Sequence, residues 1–139
     1  MAISVIQLFL PVFRYYHQLN QDMCVQIKRV YEPFATTDGF RVLVDRIWPR
    51  GVKKEAAHAD LWLKEVAPST DLRKWFNHEP GKWPEFTRKY MAELKQSAAV
   101  EQLLDIVRDH EKVTLLYSAH DELHNQALVL QEFIKPLVK

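Results

Sequence analysis

The chain has 139 residues, 47% hydrophobic and 27% charged, which suits one globular domain whose core needs no staples. The formal net charge is +1, so bulk charge argues neither for nor against a nucleic-acid partner. The single cysteine, Cys24, excludes an intrachain disulfide, and with the six histidines it gives no CxxC or metal-finger spacing. No metal and a reducing, cytoplasmic setting are therefore expected.

Residues 1–22 read as an N-terminal extension, and residues 23–139 as the domain. The apolar stretch Ile3 to Phe13 is broken by Gln7 and Pro11 and is too short to span a bilayer. It lacks the basic start and small-residue cleavage site of a signal peptide. The extension reads either as a product of an upstream start or as a partner-binding arm carrying Phe9, Phe13, Tyr15 and Tyr16.

From residue 25, strands alternate with helices. Residues 25–31 alternate apolar and polar side chains, as in a strand, and Thr36-Thr37-Asp38-Gly39 is a turn. Residues 40–47 carry the run Val42-Leu43-Val44, which predicts a central strand covered on both faces, stopped by Pro49 and Gly51. Residues 60–66 read as a third strand or an extended edge. A helix starts at Pro68-Ser69-Thr70, with Leu72, Trp75 and Phe76 at helical spacing. A second opens at Pro84 with Phe86, Tyr90 and Leu94 on one face, and a third covers about 98–110 with Val100, Leu103, Leu104 and Val107 on one stripe. Val113 to Tyr117 is a short buried strand. Ser118-Ala119-His120-Asp121 has capping-box form and predicts a last helix with Leu123, Ala127, Leu130 and Ile134 facing inward. This order predicts an α/β domain, a small, mostly parallel sheet flanked by helices in three layers.

Ligands of open α/β sheets gather at the carboxyl ends of strands, where two segments place polar groups. The first is Asp45-Arg46-Ile47-Trp48-Pro49-Arg50-Gly51. Arg46 and Arg50 supply guanidinium forks for phosphate or carboxylate, and Trp48 supplies a stacking face. Residues 28–54 hold seven cations and three acids, a local surplus in a near-neutral chain. The second segment, Ser118 to Asn125, stands at a strand-to-helix junction, where free N–H groups favour an anion. His124 and Ser118 are the candidates for proton transfer or orientation there, and Asp121 and Asn125 for ligand contact. Each has a structural alternative: the arginines brace the loop, Trp48 is core, and Ser118 and Asp121 cap a helix. A Ser118–His124–Asp121 triad is disfavoured because all three crowd one turn. His120 and His124 lack a third metal ligand.

The runs Lys28-Arg29-Val30-Tyr31 and Asp38 to Gly51, with Pro68-Ser69-Thr70-Asp71-Leu72-Arg73 and Thr114 to Ala119 followed by His124-Asn125, resemble the YeaO-like family, domain of unknown function 488. The resemblance runs from about residue 24 to 137. It implies a bacterial-type cytosolic α/β domain and no particular reaction, substrate or cofactor. Residues 1–22 fall outside it, and His120 stands where relatives often carry lysine. With three glycines there is no glycine-rich cofactor loop, so no cofactor is expected.

Three functions compete. The first is an enzyme or sensor for a small anionic, phosphate- or nucleotide-like ligand, with Ser118 and His124 near Arg46 and Arg50 in space. The second is a nucleic-acid module using Lys28, Arg29, Arg41, Lys53 and Lys54. The third is a protein-interaction surface built on Trp62, Trp75 and Trp83.

Overall fold

The alternating segments assemble into a single α/β domain. The computed structural model describes residues 25–138, so residues 1–22 and Cys24 lie outside the described part. Strands β1 (Val25–Arg29), β2 (Phe40–Leu43), β3 (Leu61–Trp62) and β4 (Val113–Tyr117) form one sheet in the order β1-β4-β2-β3. Every pairing is parallel, with Ile27 and Val42 flanking Leu115. Helices α1 (Lys54–Ala57), α2 (Thr70–Phe76), α3 (Trp83–Leu94), α4 (Ala98–Asp109) and α5 (Gln126–Ile134) fill the connections. No helix among the described residues is long and apolar enough to cross a membrane.

The two faces of the sheet carry unequal layers. Val25, Val42, Val44, Val113, Leu115 and Tyr117 point to one face, where the apolar stripes of α2, α3, α4 and α5 bury them in one large core. Leu43, Leu116 and Val30 point to the other face, covered by Ala57 of α1 with Trp48, Val52 and Ala59. Period-two alternation in β2 and β4 sends successive residues to opposite faces, so Val42-Leu43-Val44 is buried throughout. Each such aliphatic side chain contributes about 1.5–3 kcal/mol through burial.

Several boundaries differ from those predicted. Residues 60–66 divide into the two-residue β3 and a 3-10 turn, Lys64–Val66. Helix α1 was not anticipated, because four residues are too few for a periodic pattern. The last helix starts later than its capping-box string suggests: Asn125 is the cap, its Oδ1 accepting the Leu128 N–H at 3.1 Å. Leu123 therefore precedes the helix and is exposed, while Ala127, Leu130 and Ile134 are buried as expected.

The thinner face also buries charge. Arg41 is 1% exposed. Its guanidinium donates to Asp38, to the His58 carbonyl at 2.9 Å and to the Ala57 carbonyl at 3.0 Å. Lys28 reaches Asp38 from β1 at 3.0 Å. Burial acts to raise the Asp38 pKa, but Lys28, the Ala35 N–H and Arg41 outweigh it and hold the carboxyl below its usual range. Gly39 turns the chain into β2 at φ +68, and a Cβ there would lie 2.2 Å from the Lys112 carbonyl oxygen, so no other residue fits.

Replacing Asp38 with alanine strands the buried Arg41 guanidinium, and the expected loss is about 3–5 kcal/mol. Lys28→Met should cost much less, because Lys28 keeps some contact with solvent. Urea unfolding of both variants checks this, and equal losses would refute the ranking.

Candidate functional site

The loops that leave β2 and β4 meet at the carboxyl edge of the sheet, on the side of the large helices. A cleft of about 150 Å³ opens there. Asp45, Arg46 and Ile47 form one side, Ser118, Ala119, His124 and Gln126 a second, and Ala67, Pro68, Arg73, Phe76, His78 and Phe86 the third.

Asp45 is the buried charged residue of the lining, 7% exposed. Ser118 donates its hydroxyl to Asp45 Oδ2, and the Gln126 amide donates to Oδ1. These partners are neutral. Burial raises the Asp45 pKa, and the hydrogen bonds from Ser118 and Gln126 only partly offset it. The backbone carbonyl of Asp45 accepts the indole N–H of Trp62 at 2.7 Å. One residue thus links the end of β2 to β3, β4 and α5.

Arg46 is held along one edge. Its Nε donates to the Pro68 carbonyl and its Nη2 to the Ala67 carbonyl, each at 2.9 Å. Both Nη1 hydrogens and the second Nη2 hydrogen make no hydrogen bond among the described residues, which leaves the end-on fork available. The segment that receives Arg46 is fixed on both sides. Tyr90 donates to the Val66 carbonyl at 2.6 Å, and Glu93 accepts from the Ser69 N–H at 2.8 Å and from its hydroxyl at 2.6 Å. The wall is therefore set before any ligand arrives.

His124 is oriented by a different carboxylate. Its Nδ1 lies 2.8 Å from Asp121 Oδ2, so Nδ1 carries the hydrogen and Nε2 is the free nitrogen. The Trp83 ring meets the imidazole edge-on, centroids 5.3 Å apart. The Leu123 N–H and His124 hold the Asp121 carboxyl below its usual range. Ser118 bonds Asp45 and His124 bonds Asp121, so nucleophile and base are not joined as a triad requires.

Of the residues singled out in the sequence, Arg46, Ser118 and His124 line one cleft. Asp121 stands behind His124. Asn125 is buried, with its Oδ1 on the helix and its Nδ2 on the Asp121 carbonyl at 3.1 Å, so it caps rather than faces the cleft. Trp48 lies on the opposite face of the sheet, its indole donating to the Val52 carbonyl at 2.6 Å and its ring edge-on to Trp62. Arg50 is exposed, and its carbonyl accepts the Tyr31 hydroxyl. Neither Trp48 nor Arg50 lines the cleft.

Arg73, His78 and Gln126 were missed, because only the packing of α2 and α5 brings them to this edge. Asn77 and His78, both left-handed at φ 49 and 55, turn the chain at the rim, a conformation uncommon outside glycine. The nucleic-acid reading places Arg29 on phosphate. Instead Arg29 secures the β4 loop, its Nε donating to the Ala119 carbonyl at 2.9 Å. Among the described residues, no group of three or more His, Cys, Asp or Glu could hold a metal.

The raised Asp45 pKa fixes a pH dependence. Folding takes up a proton at this carboxyl, so its contribution is favourable in acid and is lost as pH rises from about 4 through the folded-state value. Asp45→Asn should flatten the decline in stability between about pH 4 and pH 8, with Gln126 turning its amide to match. Urea unfolding across that range measures it, and identical slopes for the two proteins would show that Asp45 does not titrate there.

The comparisons with known proteins agree over most of the chain. A family model described as the inactive DUF488-N3 subclade matches residues 24–139. The Escherichia coli protein YeaO is 44% identical over 115 residues, covering 83% of this chain and all of the relative. The proteins Rv3073c of Mycobacterium tuberculosis and Mb3100c of Mycobacterium bovis are each 39% identical over 110 residues, covering 79% of this chain and 92% of theirs. No solved structure gives a significant match. A match of this extent, over the same residues that build the sheet and its cleft, makes the chain a member of the YeaO-like DUF488 family.

Proposed function

We propose that this domain binds a small anion, carrying phosphate or carboxylate, in the cleft between the ends of β2 and β4, and holds it without turnover. The observation that carries this reading is the pre-set Arg46 fork, with Arg73, His78 and His124 around the same opening. Charge-assisted, bidentate contacts of this kind are among the stronger polar contacts a protein makes. Two facts argue for binding over catalysis. Ser118 and His124 are bonded to separate carboxylates, and the matching subclade is described as inactive.

The nucleic-acid reading keeps Lys53 and Lys54 exposed, while its other three cations are engaged within the domain. Lys28 and Arg41 turn inward to Asp38, and Arg29 is held by the Ser118 and Ala119 carbonyls. The surplus in residues 28–54 is therefore partly internal, with Arg50, Lys53 and Lys54 left exposed. Of the tryptophans offered for a protein partner, Trp62 is exposed, and Trp75 and Trp83 are half-buried, with Lys82 and Lys89 beside Trp75 and Phe86 beside Trp83.

Titration with inorganic phosphate and small carboxylates, followed by tryptophan fluorescence, tests the reading, because Trp83 touches His124 at the cleft. The wild type should bind saturably. Arg73 is exposed and its side chain makes no ion pair among the described residues, so Arg73→Ala should weaken binding about tenfold to a hundredfold while the melting temperature stays unchanged. No saturable binding of any of these anions would refute the proposal.

A further inference from the structure

We infer that the anion taken by this cleft is a monocarboxylate on a single six-membered ring, an aryl carboxylate of benzoate size; the inference rests on the anion-binding reading and narrows it. Size is the first argument. A cavity of about 150 Å³ holds a benzene-sized molecule, and this cleft has that volume, too small to enclose a nucleotide.

The walls are the second argument. Phe76 stacks on Phe86 with centroids 4.3 Å apart, and Trp83 stacks on Phe86 at 5.6 Å and meets His124 edge-on. Phe76 and Phe86 thus line one side of the cleft, with Trp83 packed beside Phe86 and His124. Ala67, Pro68 and Ile47 form apolar surface elsewhere in the same lining, and Ile47 is 58% exposed, so its side chain is accessible to a ligand. Such a lining favours a flat apolar body over a bare inorganic ion.

Charge is the third argument. The open edge of Arg46 presents two parallel N–H groups, the pattern that a planar carboxylate accepts bidentately. Asp45 stands on the same lining with neutral partners only. An ionised carboxyl there offsets part of the charge of Arg46 and Arg73, which lessens the advantage of a dianion over a monoanion.

Calorimetric titration of the unmodified protein separates the possibilities, using benzoate, acetate, inorganic phosphate and AMP. Benzoate should bind at least about tenfold more tightly than acetate, because its ring leaves water, and more tightly than phosphate. AMP should not displace it. Arg73→Ala should weaken benzoate binding, and Ile47→Ala should weaken benzoate but leave acetate unchanged, which ties the ring to this cleft. If phosphate, acetate or AMP binds as tightly as benzoate, the ring-acid inference is overturned while the anion-binding reading stands. If none of the four binds, both fall.

Discussion

A carboxylate buried without a cation is costly, and at Asp45 the chain arranges everything nearby to accommodate one. The side chain accepts from Ser118 at the end of β4 and from Gln126 at the start of α5, and the main-chain carbonyl accepts from Trp62 on β3. Hydrogen bonds of this kind offset desolvation only when they are all made. Moving any of the three elements would leave a polar group unpaired inside the protein. The carboxyl edge of the sheet is therefore held at the place where the two loops open into a cleft.

Arg46 extends the same logic outward. A guanidinium with one edge on the Ala67 and Pro68 carbonyls cannot swing freely, and those carbonyls belong to a segment that Tyr90 and Glu93 clamp from α3. Rigidity of this sort lowers the ordering cost of binding, since the receiving group is already in place. The left-handed pair Asn77 and His78 sits on the same rim, where an uncommon backbone is tolerated because α2 fixes one side of it. Brace and cleft are one construction, so loss of Arg46 should affect stability and binding together, whereas loss of Arg73 should not.

The other face of the sheet handles charge in the opposite way. Asp38, Arg41 and Lys28 form a buried group in which opposite charges neutralise one another under a thin cover. Their role is to join the turn before β2 to β1 and to the carbonyls around α1. Part of the Lys and Arg surplus in this stretch thus serves as internal ties, while Arg50, Lys53 and Lys54 stay exposed.

The sequence by itself determined the strands, three of the helices and their inward faces, because period two and period 3.6 are properties of neighbouring residues. It also determined which loops carry polar groups beyond buried strands, and so brought Arg46, Ser118 and His124 forward. It did not separate Trp48 and Arg50 from them, because a run of residues does not reveal on which side of the sheet each one settles after the strand ends. It offered Ser118 and Asp121 as helix caps beside their site roles, although Asn125 holds the helix, since several Asx and Ser residues in a row all satisfy the local pattern. Arg73, His78 and Gln126 carried no local signal at all. Their place at the cleft follows from how α2 and α5 pack on the sheet, and the fate of each cation, bonded inward or left free, depends on partners distant in the chain, which only the tertiary structure supplies.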